Sequence, residues 1–152
     1  MDVRPVRADA AGARLLMAEY LDEIAERMGP GFDRSRYVDV APEELEPPAG
    51  RLLLGCEDDR PVACGAVRVI GAGIAEIKRM YVAPQARGRG LGRTLLAALE
   101  GAAAELGCDR ARLDTAATLS EAVGLYGSAG YVPIADYNGN PHATVWMERR
   151  LP

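Results

Sequence analysis

The sequence predicts an α/β fold in which helices cover the faces of one mixed β-sheet. The predicted elements follow the order strand, helix, loop, three strands, helix, strand, helix and two strands, an alternation that favours this class. A helix joins the strand predicted at 74–82 to the strand predicted at 110–115, so these two strands should be parallel. The 152 residues have the length of one ordinary domain, and 49% of them are apolar, enough for a full core.

The first fifty residues predict one strand, one helix and an irregular connection. Residues 3–6 form a short strand candidate, and Asp9 is a candidate cap for the helix that follows. The apolar residues of this helix recur on one face, at Met17, Leu21, Ile24 and Met28. Gly29-Pro30-Gly31 should end the helix, and residues 31–50, which are rich in proline and acidic residues, should be irregular or partly helical.

The remaining residues predict six strands and two helices. The strands are expected at 51–56, 62–70, 74–82, 110–115, 131–134 and 143–149. One helix begins near Leu91 and is capped by Gly107. A shorter helix ends at Gly130, and the spacing of Thr118 and Glu121 before it is that of a capping box.

Composition excludes several classes of protein. The net charge of −4 argues against a nucleic-acid-coating role, which rests on clustered positive charge. Three cysteines without a CxxC motif argue against a disulfide framework, and the single histidine, His142, argues against a multi-histidine metal site. The chain lacks an apolar run of about 20 residues and a signal peptide, so we expect a cytoplasmic protein without membrane contact.

The glycine-rich segment 85–92 carries the strongest chemical signal. It has glycines at 88, 90 and 92 between a predicted strand and a predicted helix, and arginines at 87, 89 and 93. Backbone N–H groups at a helix N-terminus bind anions, and arginines add charged donors, so a diphosphate is the expected guest. The segment matches neither a Walker A loop nor the G-x-G-x-x-G fingerprint, because position 93 is Arg in both alignments. A glycine-rich turn with solvated arginines is the alternative.

Gln85-Ala86-Arg87-Gly88-Arg89-Gly90 resembles the Q/R-x-x-G-x-G/A acetyl-CoA loop of the GNAT N-acetyltransferases. Leu125-Tyr126 and Ala129-Gly130-Tyr131 are similar to another phrase of that family, with Tyr131 where phenylalanine is usual. The resemblance extends from about Arg51 to Leu151. It implies a mostly antiparallel sheet with helices on both faces, in which one parallel pair splays apart at the acetyl-CoA slot.

The resemblance also implies which segment of the chain binds the acceptor and which binds acetyl-CoA. Residues 1–152 would form a single acetyltransferase domain, with acceptor-side helices and loop at 1–50 and an acetyl-CoA-binding core at 51–152. Acetyl-CoA would be the acyl donor. The implied cofactor-binding residues are Met80, Tyr81 and Val82 along the pantetheine arm and Gln85, Arg87, Gly88, Arg89, Gly90, Leu91, Gly92 and Arg93 around the pyrophosphate.

Two residues match the positions of catalytic groups in such enzymes. Tyr126 would protonate the leaving thiolate, although it could equally be a core aromatic. Glu76 would take the amine proton directly or through water, with Asp114 in reserve. Strand alternation places Ile74, Glu76, Lys78 and Met80 on one face, so Glu76 could instead simply pair with Lys78. A backbone N–H near Val82 would stabilise the oxyanion.

The resulting hypothesis is an N-acetyltransferase that moves the acetyl group of acetyl-CoA to a primary amine by direct transfer in a ternary complex. The alternatives are a catalytically silent acetyl-CoA-binding sensor and a binder of nucleotide phosphates. The acceptor would be a small-molecule or peptide amine, in a pocket shaped by residues 19–40 and 137–142. Residues 1–60 hold 14 acids and 8 bases; these charges are either a solvated acidic surface or a hint of a cationic acceptor. We expect a monomer or homodimer.

Overall fold

The computed structural model describes residues 1–33 and 40–152 of the chain. Its elements, in chain order, are β1 (Asp2–Val6), α1 (Ala11–Met28), β2 (Gly50–Glu57), β3 (Arg60–Gly71), β4 (Ile74–Val82), α2 (Leu91–Glu105), β5 (Arg110–Thr115), α3 (Ser120–Ser128), β6 (Val132–Ile134) and β7 (Val145–Arg150). Within these residues seven strands form one sheet in the order β1-β2-β3-β4-β5-β7-β6. The predicted mixed α/β class is confirmed.

The parallel pair predicted from the sequence is β4 and β5, and it opens along its length. The two strands pair at Ile74 with Arg110, at Ala75 with Ala111 and at Glu76 with Arg112. The pairing stops there, although β4 continues to Val82 and β5 to Thr115. All other neighbouring strands of the described sheet are antiparallel. The divergence leaves a gap in the sheet, as the resemblance implied.

A β-bulge at Arg79 changes which face the end of β4 presents. Cys64 of β3 pairs with Tyr81, and Ala66 pairs with Lys78, so two residues of β4 oppose one residue of β3. Arg79 takes a left-handed conformation with φ +58°. Met80 consequently packs with the core beneath α2, whereas Glu76 and Lys78 lie on the other face. The expectation that Met80 shares a face with Glu76 and Lys78 is therefore wrong.

Two hydrophobic cores lie on opposite faces of the sheet. Leu95 of α2 packs with Val67 of β3 in one core, and Leu16 of α1 packs with Ala66 of β3 in the other. Because successive strand residues point to opposite faces, α1 and α2 must lie on opposite sides. Tyr126 joins the first core, which places α3 on the same side as α2.

The helix α1 begins without the side-chain cap predicted at Asp9. Ala10 is the residue at the cap position, and no side chain caps the first turn. Asp9 instead pairs with Arg7, whose Nε lies 3.2 Å from its Oδ1. The predicted stop is confirmed, since Gly29 takes φ +74° directly after the last helical residue. Residues 34–39 of the predicted connection and acceptor segment lie outside the described residues.

The capping box predicted before α3 does not form. Leu119 occupies the cap position, and no side chain caps this helix. Arg27 of α1 accounts for the difference, because it donates to Glu121 Oε2 at 2.7 Å and to the carbonyl oxygen of Thr118 at 3.4 Å. A long-range ion pair stands where the sequence predicted local hydrogen bonds to the backbone.

The three cysteines Cys56, Cys64 and Cys108 are buried free thiols. Burial raises the pKa of Cys64 to about 12, so this thiol stays protonated. Across residues 1–33 and 40–152, no helix combines the length and apolar character that crossing a bilayer requires.

Candidate active site

Two cavities occupy the region where β4 and β5 diverge, with α1 and α3 contributing to their walls. The loop cavity measures about 340 Å³ and is bordered by the glycine-rich segment and the end of β4. The inner cavity measures about 110 Å³ and is bordered by β4, β5 and the loop between β6 and β7. The two share the lining residues Tyr20, Ile24, Met80, Leu119, Ala122 and Tyr126. They are therefore adjoining compartments of one cleft.

The loop cavity gathers most of the residues that the sequence predicts for cofactor binding. Those that line it are Met80, Tyr81, Val82, Arg87, Gly88, Gly90, Leu91 and Gly92. Gln85, Arg89 and Arg93 do not line it. Arg89 makes a two-pronged ion pair with Glu57 at 3.0 and 2.7 Å, and Arg93 donates to Ser128 Oγ.

The backbone of the glycine-rich segment explains why glycine is required there. Gly88 has φ +80° and Gly90 has φ +77°, and Gly90 is the N-cap of α2. This left-handed conformation strains any residue with a Cβ atom. The N–H groups in the first turn of a helix lack intrahelical partners, so those of α2 are available to an anion beside Gly90.

Ion pairs connect α1 to both the glycine-rich segment and α3 along the loop cavity. Arg87 donates through Nε to the Val82 carbonyl oxygen at 2.8 Å and through a terminal nitrogen to Glu23 at 2.8 Å. The pair of Arg27 with Glu121 joins α1 to α3, and all four of these charged residues line the cavity. Arg87 thus carries its positive charge at the cavity wall.

Tyr126 lies at the junction of the two cavities and lines both. The residue is only 7% exposed, and its ring packs edge-on against Tyr131 at 5.9 Å between centroids. Its hydroxyl lies 3.8 Å from Met80 Sδ, a weak acceptor. Burial, aided by the negative charge of Asp114, raises the pKa of Tyr126 well above its ordinary value. Tyr126 is therefore a buried aromatic residue that lines the cleft and keeps its phenolic proton.

Glu76 is 1% exposed and lines neither cavity. Its partners are Arg68 Nε at 3.0 Å, Tyr137 Oη at 2.7 Å, Asn138 Nδ2 at 3.2 Å and Lys78 Nζ at 3.4 Å. Burial pushes the pKa of Glu76 upward, but the charges of Lys78 and Arg68 and the hydrogen bonds from Tyr137 and Asn138 outweigh it and hold the pKa below its ordinary value. The carboxylate is ionised and fully engaged.

Asp114 is the carboxylate that borders the inner cavity. Its Oδ1 accepts a hydrogen bond from Asn140 Nδ2 at 3.2 Å, and its Oδ2 accepts one from Asn138 Nδ2. Asn140 and His142 line the same cavity, and the ring of His142 lies 4.7 Å from that of Phe32. The predicted acceptor segment 137–142 does contribute to this wall.

Some functional features have only a weak signal in the sequence. Asn138-Gly139 reads as a turn, but nothing local indicates that the Asn138 side chain reaches β4 and β5. The Arg79 bulge likewise lacks a glycine to mark it. Both features depend on contacts between distant segments.

Comparison with known proteins agrees with this geometry. The profile of the acetyltransferase (GNAT) family matches residues 14–131. An uncharacterised N-acetyltransferase of Schizosaccharomyces pombe is 34% identical over 136 residues, which cover 84% of this chain and 79% of that protein. A Klebsiella pneumoniae protein assigned as an acyl-CoA N-acyltransferase is 31% identical, with a TM-score of 0.77 over 99% of this chain and 97% of that one. A GNAT acetyltransferase of Elizabethkingia anophelis, solved with acetyl-CoA bound, has 15% identity and a TM-score of 0.68 over 99% of this chain and 97% of that one. The chain therefore belongs to the GNAT family of acetyltransferases, enzymes whose acyl donor is acetyl-CoA.

Proposed function

We propose that this enzyme transfers the acetyl group of acetyl-CoA to a small-molecule primary amine, directly and within a ternary complex. The observation that carries the proposal is the pair of adjoining cavities that meet at Tyr126. The donor would occupy the loop cavity and the amine the inner cavity, so that both reach the same phenol. A small acceptor is favoured because the inner cavity measures only about 110 Å³.

The chemistry of the loop cavity fits a CoA thioester. The first-turn N–H groups of α2 and the charge of Arg87 match a diphosphate, and the glycines at 88 and 90 keep that surface free of side chains. Met80 and Leu125 add apolar surface for the uncharged pantetheine arm of CoA. When bound, acetyl-CoA supplies an activated acyl group with a thiolate as its leaving group.

The residues of this chain would handle two protons. Tyr126 would donate its phenolic proton toward the sulfur that leaves, because the raised pKa keeps that proton in place over the working pH range. Asp114 would receive the proton that the amine loses, since it is the carboxylate at the wall of the inner cavity. The N–H of Val82 is our proposed donor to the oxyanion.

The role of general base predicted for Glu76 has less support than the same role for Asp114. Glu76 lines neither cavity, and four partners surround it. We assign Glu76 to support of the acceptor wall. The single domain, the monomeric or dimeric state and the cytoplasmic location stay predictions.

A turnover assay on a panel of amines tests the proposed function. We expect acetyl-CoA to bind in isothermal titration and CoA thiol to be released in the presence of at least one small primary amine. Acetyl-CoA binding without thiol release across the panel would favour the silent sensor. Displacement of acetyl-CoA by ATP or NAD at millimolar concentration would instead favour a nucleotide-phosphate binder.

Arg87→Ala should weaken acetyl-CoA binding more than Arg89→Ala. Loss of one charge-assisted hydrogen bond costs about 1.5–3 kcal/mol, so we expect the Kd to rise roughly tenfold or more for Arg87→Ala. Arg89 lies outside the loop cavity, so its loss should change the Kd by about threefold at most. Titration calorimetry measures both values, with Arg14→Ala as an exposed control on α1. Equal effects of the two variants would contradict the assignment of Arg87.

A further inference from the structure

Asn138, in the loop between β6 and β7, has a side chain whose orientation is fixed by its neighbours. Its Oδ1 accepts hydrogen bonds from Trp146 Nε1 at 2.9 Å and from the backbone N–H of Asn140 at 3.1 Å. Both partners are donors only, so the oxygen must face them. The Nδ2 group must then point the other way, toward β4 and β5.

On that other side, Asn138 Nδ2 bridges two carboxylates on neighbouring strands. It lies 3.2 Å from Glu76 Oε2 and also donates to Asp114 Oδ2. An amide nitrogen carries two hydrogens, one for each carboxylate, so both acceptors are satisfied by one side chain. The bridge spans the point at which β4 and β5 stop pairing, since Glu76 is in the last paired position of β4.

The bridge determines how Asp114 faces the inner cavity. Asn140 Nδ2 holds its second oxygen, so two amide groups fix the rotation of the carboxylate. Amide N–H groups can only donate, so both oxygens of Asp114 act as acceptors here. Glu76 in turn is anchored by Arg68 and Tyr137, which makes the far end of the bridge rigid.

The loop itself is held by local bonds that present Asn138. Asp136 Oδ1 accepts from the N–H groups of Asn138 at 3.0 Å and Gly139 at 2.7 Å, which forms an Asx turn. Gly139 takes φ +66°, as the turn requires. These local bonds hold the turn without any contact with the sheet. The Asn138 side chain then links the turn to the carboxylates of Glu76 and Asp114.

We infer that Asn138 is a positioning residue for the acceptor: it locks Asp114 in the orientation that receives the amine. This inference rests on the proposed function, because it gives Asp114 its role in amine transfer. Asn138 itself acts through Asp114. Its loss should impair use of the amine and leave binding of acetyl-CoA intact, since the loop cavity does not include it.

The test compares the wild-type enzyme with Asn138→Leu, which keeps the side-chain size and removes every hydrogen bond of the side-chain amide. We expect kcat/KM for the amine to fall about tenfold to thirtyfold, in line with the loss of an orienting contact. The Kd for acetyl-CoA, measured by calorimetry, should stay within about twofold. Trp146→Phe removes the bond to Asn138 Oδ1 together with part of the aromatic ring, keeps the Asn138 side chain, and should give an intermediate loss.

The outcomes separate this inference from the proposed function. If the wild-type enzyme acetylates an amine and Asn138→Leu matches it within about twofold, the inference is overturned. An equal loss of acetyl-CoA binding in Asn138→Leu would also overturn it, because the role would then be general stability. Absence of turnover in the wild-type enzyme with every amine would count against the proposed function. A thermal melting transition, measured for both proteins without acetyl-CoA, shows independently that they are folded.

Discussion

Replacing Tyr126 with phenylalanine should lower kcat about 100-fold, the lower end of what a positioned general acid contributes. The substitution removes one oxygen atom from the junction of the two cavities and keeps the ring that packs against Tyr131. The only bond lost within the described residues is the weak one to Met80 Sδ, so the fold should persist. Because the ground-state contacts of the donor are unchanged, the KM for acetyl-CoA should move by about twofold at most.

Tyr131→Phe is the matched control for this experiment. Tyr131 is as buried as Tyr126, but its hydroxyl donates to Glu100 at 3.1 Å and lines neither cavity. Loss of that bond should cost about 1–2 kcal/mol of unfolding free energy and leave kcat nearly unchanged. Steady-state kinetics on both variants decide the matter. A kcat for Tyr126→Phe within a factor of about three of the wild-type value would remove the acid role.

The pH dependence of the wild-type enzyme gives a second view of the same group. A phenol loses its proton near pH 10 in water, and burial with the nearby Asp114 charge raises the pKa of Tyr126 above that value. A raised pKa means that the proton is retained as the pH rises through 10. The kcat of the folded enzyme should therefore show no fall from Tyr126 ionisation between pH 7 and about 10, and the Tyr126→Phe defect should span this range.

Local chemistry explains which parts of the fold were predictable. The bounds predicted for β4 and β5 match the structure. Strand bounds of this kind depend on residues that are close in sequence, namely a run of strand-forming residues and the turn residues that flank it. The turn at the glycine-rich segment was equally predictable, since glycines in the sequence mark the positions that take left-handed conformations, Gly88 and Gly90. Tyr126 was found through the resemblance of its helix to a family phrase.

The remaining features depend on contacts that the sequence does not display. Glu121 left its predicted capping box because Arg27, 94 residues away, offers a charged partner that a local amide cannot match. Met80 changed faces because the bulge at Arg79 inserts one residue into β4. Periodicity arguments assume an uninterrupted strand, and this one is interrupted at the site.

Asp114→Asn should lower kcat/KM for the amine about 100-fold, because the wall of the inner cavity loses its proton acceptor. The acetyl-CoA Kd should hold within about twofold, since Asp114 does not line the loop cavity. Asp109→Asn, an exposed change just before the opposite end of β5, is the control for loss of one negative charge. Retention of kcat/KM within about threefold would exclude Asp114 as the base.

Glu76→Gln should lower the free energy of unfolding more than it lowers kcat/KM, whereas Asp114→Asn should lower kcat/KM. This contrast distinguishes the two carboxylates. Neutralising Glu76 leaves Lys78 and part of Arg68 without their partner in a buried site, which should cost roughly 3–5 kcal/mol of unfolding free energy. A glutamine oxygen can still accept from Tyr137 or Asn138, so the acceptor wall should largely persist. The folded variant should therefore keep kcat/KM within about fivefold of wild type, measured well below its melting temperature. If Glu76→Gln instead loses turnover as severely as Asp114→Asn while remaining folded, Glu76 takes part in removing the amine proton, and the assignment of Asp114 as the sole base is wrong.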